Sequence, residues 1–298
     1  MQIEILPSYK IDKQKWDDCI KNSSNPLIYA TSVYLDYMAD NWDGFIADDY
    51  NLVMPVPWRK KYGIKYCYAV PFIQQLGVFG KNLKQEEVDA FISLLQQAFR
   101  YGDYPFNYLN QIKATNQSNN YILLLSSKYE VIKQFYLSHL EKNLHKAKKF
   151  PLQYEEGDIE ETIELFKEIY ANRVRNTTVK DYNNFLELCK VKQQESNIVV
   201  RKIINNNQLL ASVLLMKDER RYYNLMMCAT QLAREQSAGA FLYNELIKEF
   251  SHSGMMLDFE GSDIEGIEFF YKGFGAVNQP YYRLHLNTLP FPLRLLKR

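Results

Sequence analysis

Apolar residues recur along this chain in two rhythms, one of helical spacing and one of strand type, and the two alternate. Val88, Phe91, Ile92, Leu95 and Phe99 fall on one face of a helix expected over residues 85–100. Leu242, Leu246, Ile247 and Phe250 do the same in the second half. Shorter helical stretches are expected at 13–21 and 32–41. Among the strand-type runs, NLVMPVPW and IKYCYAVPF flank RKKYG as a hairpin, with Gly63 supplying turn freedom. Pro55, Pro57 and Pro71 predict edges or bulges rather than a regular central strand. YPFNYLNQI and YILLLSS read as strands separated by the polar loop KATNQSNN. In the second half, residues 197–230 form a strand run with turns at 205–207 and 218–220, followed by the loop QLAREQSAG.

The order of hairpin, loop, helix and strand thus occurs twice, which predicts an α/β chain with mixed sheets built as two tandem domains of one fold. The expected boundary lies near Phe150, giving domains 1–150 and 151–298, with Pro151 ending a helix and Gly157 and Asp158 opening the next. The most informative unit is 254–283. Met255, Met256, Leu257 and Phe259 form a short buried strand interrupted by Asp258 and closed by Gly261, and a strand here would put Asp258 and Glu260 on one face. Ser262 and Asp263 are candidate caps for a helix on which Ile264, Ile267, Tyr271 and Phe274 recur, Gly275 suits its end, and a strand over 281–286 follows. The first half has a polar loop where the second has the Tyr271 helix, so chemistry that needs that helix belongs to the second half.

Composition narrows the function classes. Lys and Arg total 36 against 35 acidic residues, and a net charge of +1 gives no global attraction to DNA or anionic membrane. The four cysteines form no CxxC pair and the four histidines no HxxxH, which argues against a metal site and fits a reducing compartment. The first residues lack a signal-peptide pattern, and no apolar run approaches the ~20 residues of a spanning helix. The expectation is a soluble, cytoplasmic protein without a transmembrane segment. One local charge run stands out, with Lys142, Lys146 and Lys149 on one helical face and Lys148 beside them. That face could bind phosphate, though a charge run of this kind is more often a solvated helix face.

Candidate chemistry gathers late in the chain. A strand ending in CAT, the loop QLAREQSAGA and a helix offer free backbone N–H groups and the positive end of a helix dipole, suited to a pyrophosphate or carboxylate. Arg234 adds charge and Gly239 allows close approach. The strand over 224–229 could direct backbone donors at an oxyanion if it splays from its neighbour. Asp258 and Glu260 are candidate general bases and Tyr271 a candidate general acid, each with a plain alternative as anchor, solvated group or core ring. Cys228 is read as a small buried hydrophobe rather than a nucleophile. Arg173 and Arg175 are candidates to clamp an anionic acceptor.

This arrangement resembles the GNAT acyltransferase superfamily. In its donor loop, Gln/Arg-x-x-Gly-x-Gly/Ala, Gln236 and Gly239 match, while Phe241 stands where Gly or Ala belongs. In its Tyr-x-x-x-Gly-Phe pattern, Tyr271 and Gly275 match, and Ala276 replaces the Phe. A closer resemblance is to the FemAB branch, the peptidoglycan bridge-forming aminoacyltransferase-like proteins, carried by LDFEGSDIEGIEFFYKGFGA, LSHLEKNLHKAKKFPLQY and FIQQLGVF. The resemblance implies two tandem GNAT-like domains, each a mixed, largely antiparallel sheet flanked by helices, with no donor site in the first. It implies a donor site at Arg234, Gln236, Ser237, Ala238, Gly239 and Ala240, catalysis by Tyr271, Asp258 and Glu260, and acceptor contacts at Gln74, Gln75, Arg173 and Arg175. The donor would be an acyl-coenzyme A or an aminoacyl-tRNA, used as a substrate and not held as a tightly bound cofactor. The acceptor would be an amine on a small molecule or cell-wall precursor. The chain lacks the long helical arm of some bridge-forming enzymes, which bears on the tRNA-type donor. Three readings therefore stay open: an acyl or aminoacyl transferase, a non-catalytic ligand-binding protein on a degenerate GNAT fold, and a tRNA-associated aminoacyltransferase using the Lys142 to Lys149 face.

Overall fold

The computed structural model describes residues 1–112, 116–170, 177–261, 263–291 and 294. The chain forms two compact units, one of Met1–Ser118 with Pro280–Arg298 and one of Asn119–Gln279.

The first unit contains β1 (Ile3–Pro7), α1 (Lys13–Asn22), α2 (Ser32–Met38), β2 (Trp42–Ala47), β3 (Leu52–Lys61), β4 (Ile64–Cys67), β5 (Phe79–Gly80), α3 (Gln85–Ala98), β6 (Tyr101–Phe106) and β7 (Asn116–Ser118). Helices α1, α2 and α3 fall where the apolar spacing places them, and Val88, Phe91 and Leu95 of α3 are buried. Strand β3 is not an edge, because β2 pairs along one side while β5 and β4 pair at the two ends of the other. The prolines fit through a gap. β5 takes Leu52 and Val53, β4 takes Trp58 to Lys61, and Trp58 N–H points to the β2 side. Pro55 and Pro57 therefore turn their missing donors towards residues with no strand partner on that side. Gly102 meets Cys67 so closely that a Cβ would lie 1.9 Å from the Cys67 oxygen, so only glycine permits the parallel bridge between β4 and β6.

The second unit contains β8 (Tyr121–Leu124), α4 (Tyr129–Lys133), α5 (Ser138–Ala147), β9 (Gln153–Glu156), α6 (Ile159–Tyr170), α7 (Val179–Gln194), β10 (Ile198–Asn205), β11 (Gln208–Lys217), β12 (Arg221–Ala229), α8 (Gln231–Glu235), α9 (Ala238–Phe250), β13 (Met256–Asp258), α10 (Glu265–Gly273) and β14 (Val277–Asn278). Its sheet runs β14-β8-β13-β12-β11-β10-β9, and the β12–β13 pair alone among these is parallel. The turn between β10 and β11 uses Asn206 and Asn207, both with positive φ, as the sequence predicts. Alternation along β11 sorts the helices into two layers. Ala211, Val213 and Leu215 pack with Leu242, Leu246 and Ile247 of α9, while Ser212 bonds Thr162 of α6 on the other face.

Three expectations need correction. The boundary is not near Phe150: the chain divides at Ser118, and α5, which precedes Phe150, packs on α9 within the second unit. The strand expected over 281–286 forms as β15 (Tyr281–Asn287), but it pairs between β6 and β7 of the first sheet rather than closing the second. The loop QLAREQSAG contains a full turn of helix, α8, capped by Thr230 Oγ1 accepting from Ala233 N–H. Both units nevertheless follow the expected plan of a mixed, largely antiparallel sheet flanked by helices.

Candidate active site

The site is organised by the parting of two parallel strands. β12 and β13 pair from Arg221 with Met256 to Tyr223 with Asp258; β13 then ends, while β12 continues to Ala229. A register shift against β11, pairing Leu214 with Met226 but Leu215 with Asn224, leaves Leu225 as an extra residue in β12 at this point. The stretch 224–229, expected to direct backbone donors if it parts from its neighbour, has no β13 partner beyond Tyr223.

Beside the open part of β12 lies a cavity of about 740 Å³. Met227 and Ala229 contribute from β12, Arg234 from α8, Ser237, Gly239 and Ala240 from the start of α9, and Ile264, Gly266, Ile267, Phe270 and Tyr271 from the α10 side. Phe166 and Tyr170 of α6 and Asn143 of α5 complete it. Ser237 precedes α9 in the left-handed conformation and makes no side-chain cap, so the first amides of α9 are not screened by its hydroxyl. Gly239 sits against Met227, where a Cβ would lie 3.1 Å from Cε. Gln236 is elsewhere: it is buried and accepts from Asn205 Nδ2 at 2.8 Å, so it braces the loop instead of lining the cavity. Ala238 is fully buried in the core.

Tyr271 lines the cavity from α10 and is buried against Phe259 and Tyr243. Burial pushes its phenol well above the ordinary value, interaction with the Tyr243 hydroxyl opposes this, and charge on Glu260 adds to it. Tyr243 in turn accepts from Asn224 Nδ2 at 2.7 Å. Asn224 thus holds the Tyr243 hydroxyl, and Tyr243 packs edge-on against the Tyr271 ring.

The two carboxylates separate in role. Asp258 Oδ2 accepts from Arg221 and from Asn120 Nδ2, and Oδ1 accepts from Glu260 N–H at 2.9 Å. With both oxygens engaged and an exposure of 1 %, Asp258 fits the anchor of its two readings better than the base. Glu260 does not share a strand face with it, because β13 has ended and Glu260 has a φ of 59°. Glu260 is half-buried as a residue, yet its Oε1 is sealed and has no hydrogen-bond partner among the described residues. Burial alone drives its carboxyl well above the usual range. Gly261 follows with its N–H on Asn120 Oδ1, so close to the chain at Asn119 that a Cβ would lie 1.9 Å from that carbonyl oxygen.

Other candidates fall outside this constellation. Gln74 and Gln75 belong to the first unit, where buried Gln75 donates to Gln74 and accepts from Tyr108 N–H, a loop-bracing role. Arg173, Arg175 and Ser262 lie outside the described residues. Asp263 accepts from Asn119 N–H, and the residue before α10, Ile264, gives no side-chain cap. Cys228 is buried and its thiol is pushed up to about 12, which fits the reading as a hydrophobe. Sequence reasoning missed Tyr243, Asn224 and Asn143. Their only signal is polar atoms at positions whose neighbours face the core. Among the described residues, no His, Cys, Asp and Glu cluster is suited to a metal ion, and no helix is long and apolar enough to cross a membrane.

No family model matches the chain, and no curated protein does. Solved structures do match. The chain is similar to FemX at 12% identity over 99% of each chain, with a TM-score of 0.68. It is similar to the C-terminal domain of a putative lysylphosphatidylglycerol synthetase from Agrobacterium fabrum at 10% identity over 96% of this chain and 94% of that one, TM-score 0.57. A tandem GNAT protein from the clavulanic acid biosynthesis pathway matches at 8% identity over 97% and 99%, TM-score 0.56. The fold is therefore that of tandem GNAT proteins, and FemX shares it over the full length.

Proposed function

We propose that the second unit is an acyltransferase centre that moves an acyl or aminoacyl group from a coenzyme A-type or tRNA-type donor to an amine, such as one on a small molecule or cell-wall precursor. The observation that carries this reading is that one cavity joins Arg234, Ser237, Gly239 and Ala240 at the start of α9 to Tyr271, where β12 leaves β13. The helix start and Arg234 suit a phosphate-bearing donor. Backbone N–H groups of β12 beyond Tyr223, free of a β13 partner, suit the oxyanion of a tetrahedral intermediate.

In this mechanism the amine nitrogen attacks the donor carbonyl carbon and the C–N bond forms. On collapse the bond from carbon to sulfur or oxygen breaks, and the leaving atom takes the Tyr271 proton. Tyr271 is suited to this because its high phenol pKa keeps it protonated and its hydroxyl interacts with that of Tyr243. The proton lost by the amine reaches Glu260 through water, since Glu260 is not in the cavity wall, and returns from there to Tyr271 through solvent. Glu260 is the remaining carboxylate within electrostatic reach of Tyr271, and burial makes its carboxylate form more basic than usual.

The tRNA-type donor draws support from α5. Asn143 reaches the cavity from the helix that carries exposed Lys142 and Lys146, and none of Lys142, Lys146, Lys148 and Lys149 forms an ion pair among the described residues. Calorimetric titration with coenzyme A and with tRNA tests the two donors. Saturable coenzyme A binding supports the first, and tRNA binding with a steep salt dependence supports the second. Binding of neither would leave the non-catalytic reading.

A further inference from the structure

The cavity wall says more about the acyl group than about the rest of the donor. Its surface is mostly apolar, and Phe166, Tyr170, Met227, Ile264, Ile267 and Phe270 are its large apolar side chains. Among the described residues, Arg234 is its one charged side chain and no Asp or Glu lines it. Helix α10 turns Ile267, Phe270 and Tyr271 to the cavity at the i, i+3, i+4 spacing of one face. Ile267 is 37 % exposed and Ile264, just before the helix, 64 % exposed, although both border a concave site. Large aliphatic side chains left wet inside a concavity mark a place where a ligand's apolar part is received.

We infer that the acyl group received here is a bulky hydrocarbon one, an aliphatic chain of several carbons or an aromatic acid, in preference to acetyl or a cationic aminoacyl group. This rests on the acyltransferase reading for its placement beside Tyr271, but the apolar recognition itself does not depend on which donor carries the acyl group. A cationic side chain would meet Arg234 and, among the described residues, no carboxylate in the wall. An acetyl group would leave the α10 face uncovered.

The test is titration calorimetry with two thioester fragments, S-octanoyl- and S-acetyl-N-acetylcysteamine, with coenzyme A titrated in parallel. Each methylene moved out of water is worth about fourfold in affinity at full burial, so the octanoyl fragment is expected to bind at least ~30-fold more tightly than the acetyl one. Ile267→Asp, and separately the more exposed Ile264→Asp, should collapse that ratio towards unity while circular dichroism confirms folding. Coenzyme A binding with equal affinity for the two fragments would overturn this inference and leave a coenzyme A donor standing. Octanoyl preference without coenzyme A binding would uphold the inference and remove the coenzyme A donor. Binding of none of the three would overturn both.

Discussion

Arg221, where β12 begins to pair with β13, and Asp258, where that pairing ends, form a buried ion pair, so the short paired stretch before the strands part is clamped by charge. Both side chains are almost fully withdrawn from solvent, and Asn120 Nδ2 and Glu260 N–H take the remaining acceptor positions of the carboxylate. Removing one partner of such a pair leaves an uncompensated buried charge.

Asp258→Asn is therefore expected to destabilise the folded chain by about 3–5 kcal/mol. Arg221→Met combined with Asp258→Asn should recover part of that loss, since no buried charge is then left alone. Urea unfolding of the two variants checks this. A single variant as stable as wild type would mean that the pair is not what holds the strand ends.

Tyr271→Phe removes a hydroxyl and keeps the ring stacked on Phe259. The interaction with the Tyr243 hydroxyl is lost with it, a stability cost of about 1 kcal/mol. If Tyr271 protonates the leaving group, kcat should fall by ~10²- to 10⁴-fold with KM little changed. Equal turnover by the two proteins would reduce Tyr271 to a core ring.

Glu260 sets a pH dependence whose sign is fixed by burial. Its folded pKa lies above the unfolded value, so between the two the folded state holds more protons and stability falls as pH rises. Stability from the neutral carboxyl is complete below the ordinary carboxylate range and is lost as pH climbs through the raised folded value. Glu260→Gln should flatten this fall in a series of thermal melts. As the proposed base, Glu260 also makes activity rise over the same window, and the Gln variant should lose that limb. Parallel melting curves for the two proteins across pH would show that Glu260 does not titrate inside the fold.

Much of this site was legible in the sequence, and the reasons divide cleanly. The parting at 224–229, the cavity positions of Arg234, Ser237, Gly239 and Ala240, and the placement of Tyr271 follow from local order, because strand, helix start and helix face are set by spacing within a few residues. The sequence leaves Asp258 open between base and anchor because its partner is invisible locally: Arg221 lies 37 residues away and meets it only through strand register. The same limit hid the pairing of β15. Tyr281, Leu284 and Leu286 show a strand pattern that would suit either sheet, and register with β6 and β7 decides between them. Pro55 and Pro57 misled for a related reason, since a strand can be central overall and still have a two-ended partner with a gap between.

Gly239→Asp is the most direct probe of the donor site. The residue is in the first turn of α9, where an acidic side chain interacts favourably with the helix dipole, so the change does not oppose the helix. Its new Cβ meets only the mobile end of Met227 at 3.1 Å, which can shift by a few tenths of an ångström. The fold should survive with a melting temperature within a few degrees of wild type. A phosphate-bearing donor, by contrast, would face both a side chain in its path and a like charge at the anion position. Coenzyme A affinity is expected to fall at least ~100-fold in calorimetry, a loss of about 2.7 kcal/mol. A folded variant that binds coenzyme A as wild type does would move the donor away from the start of α9, and Tyr271 would lose the neighbour that makes it a candidate acid.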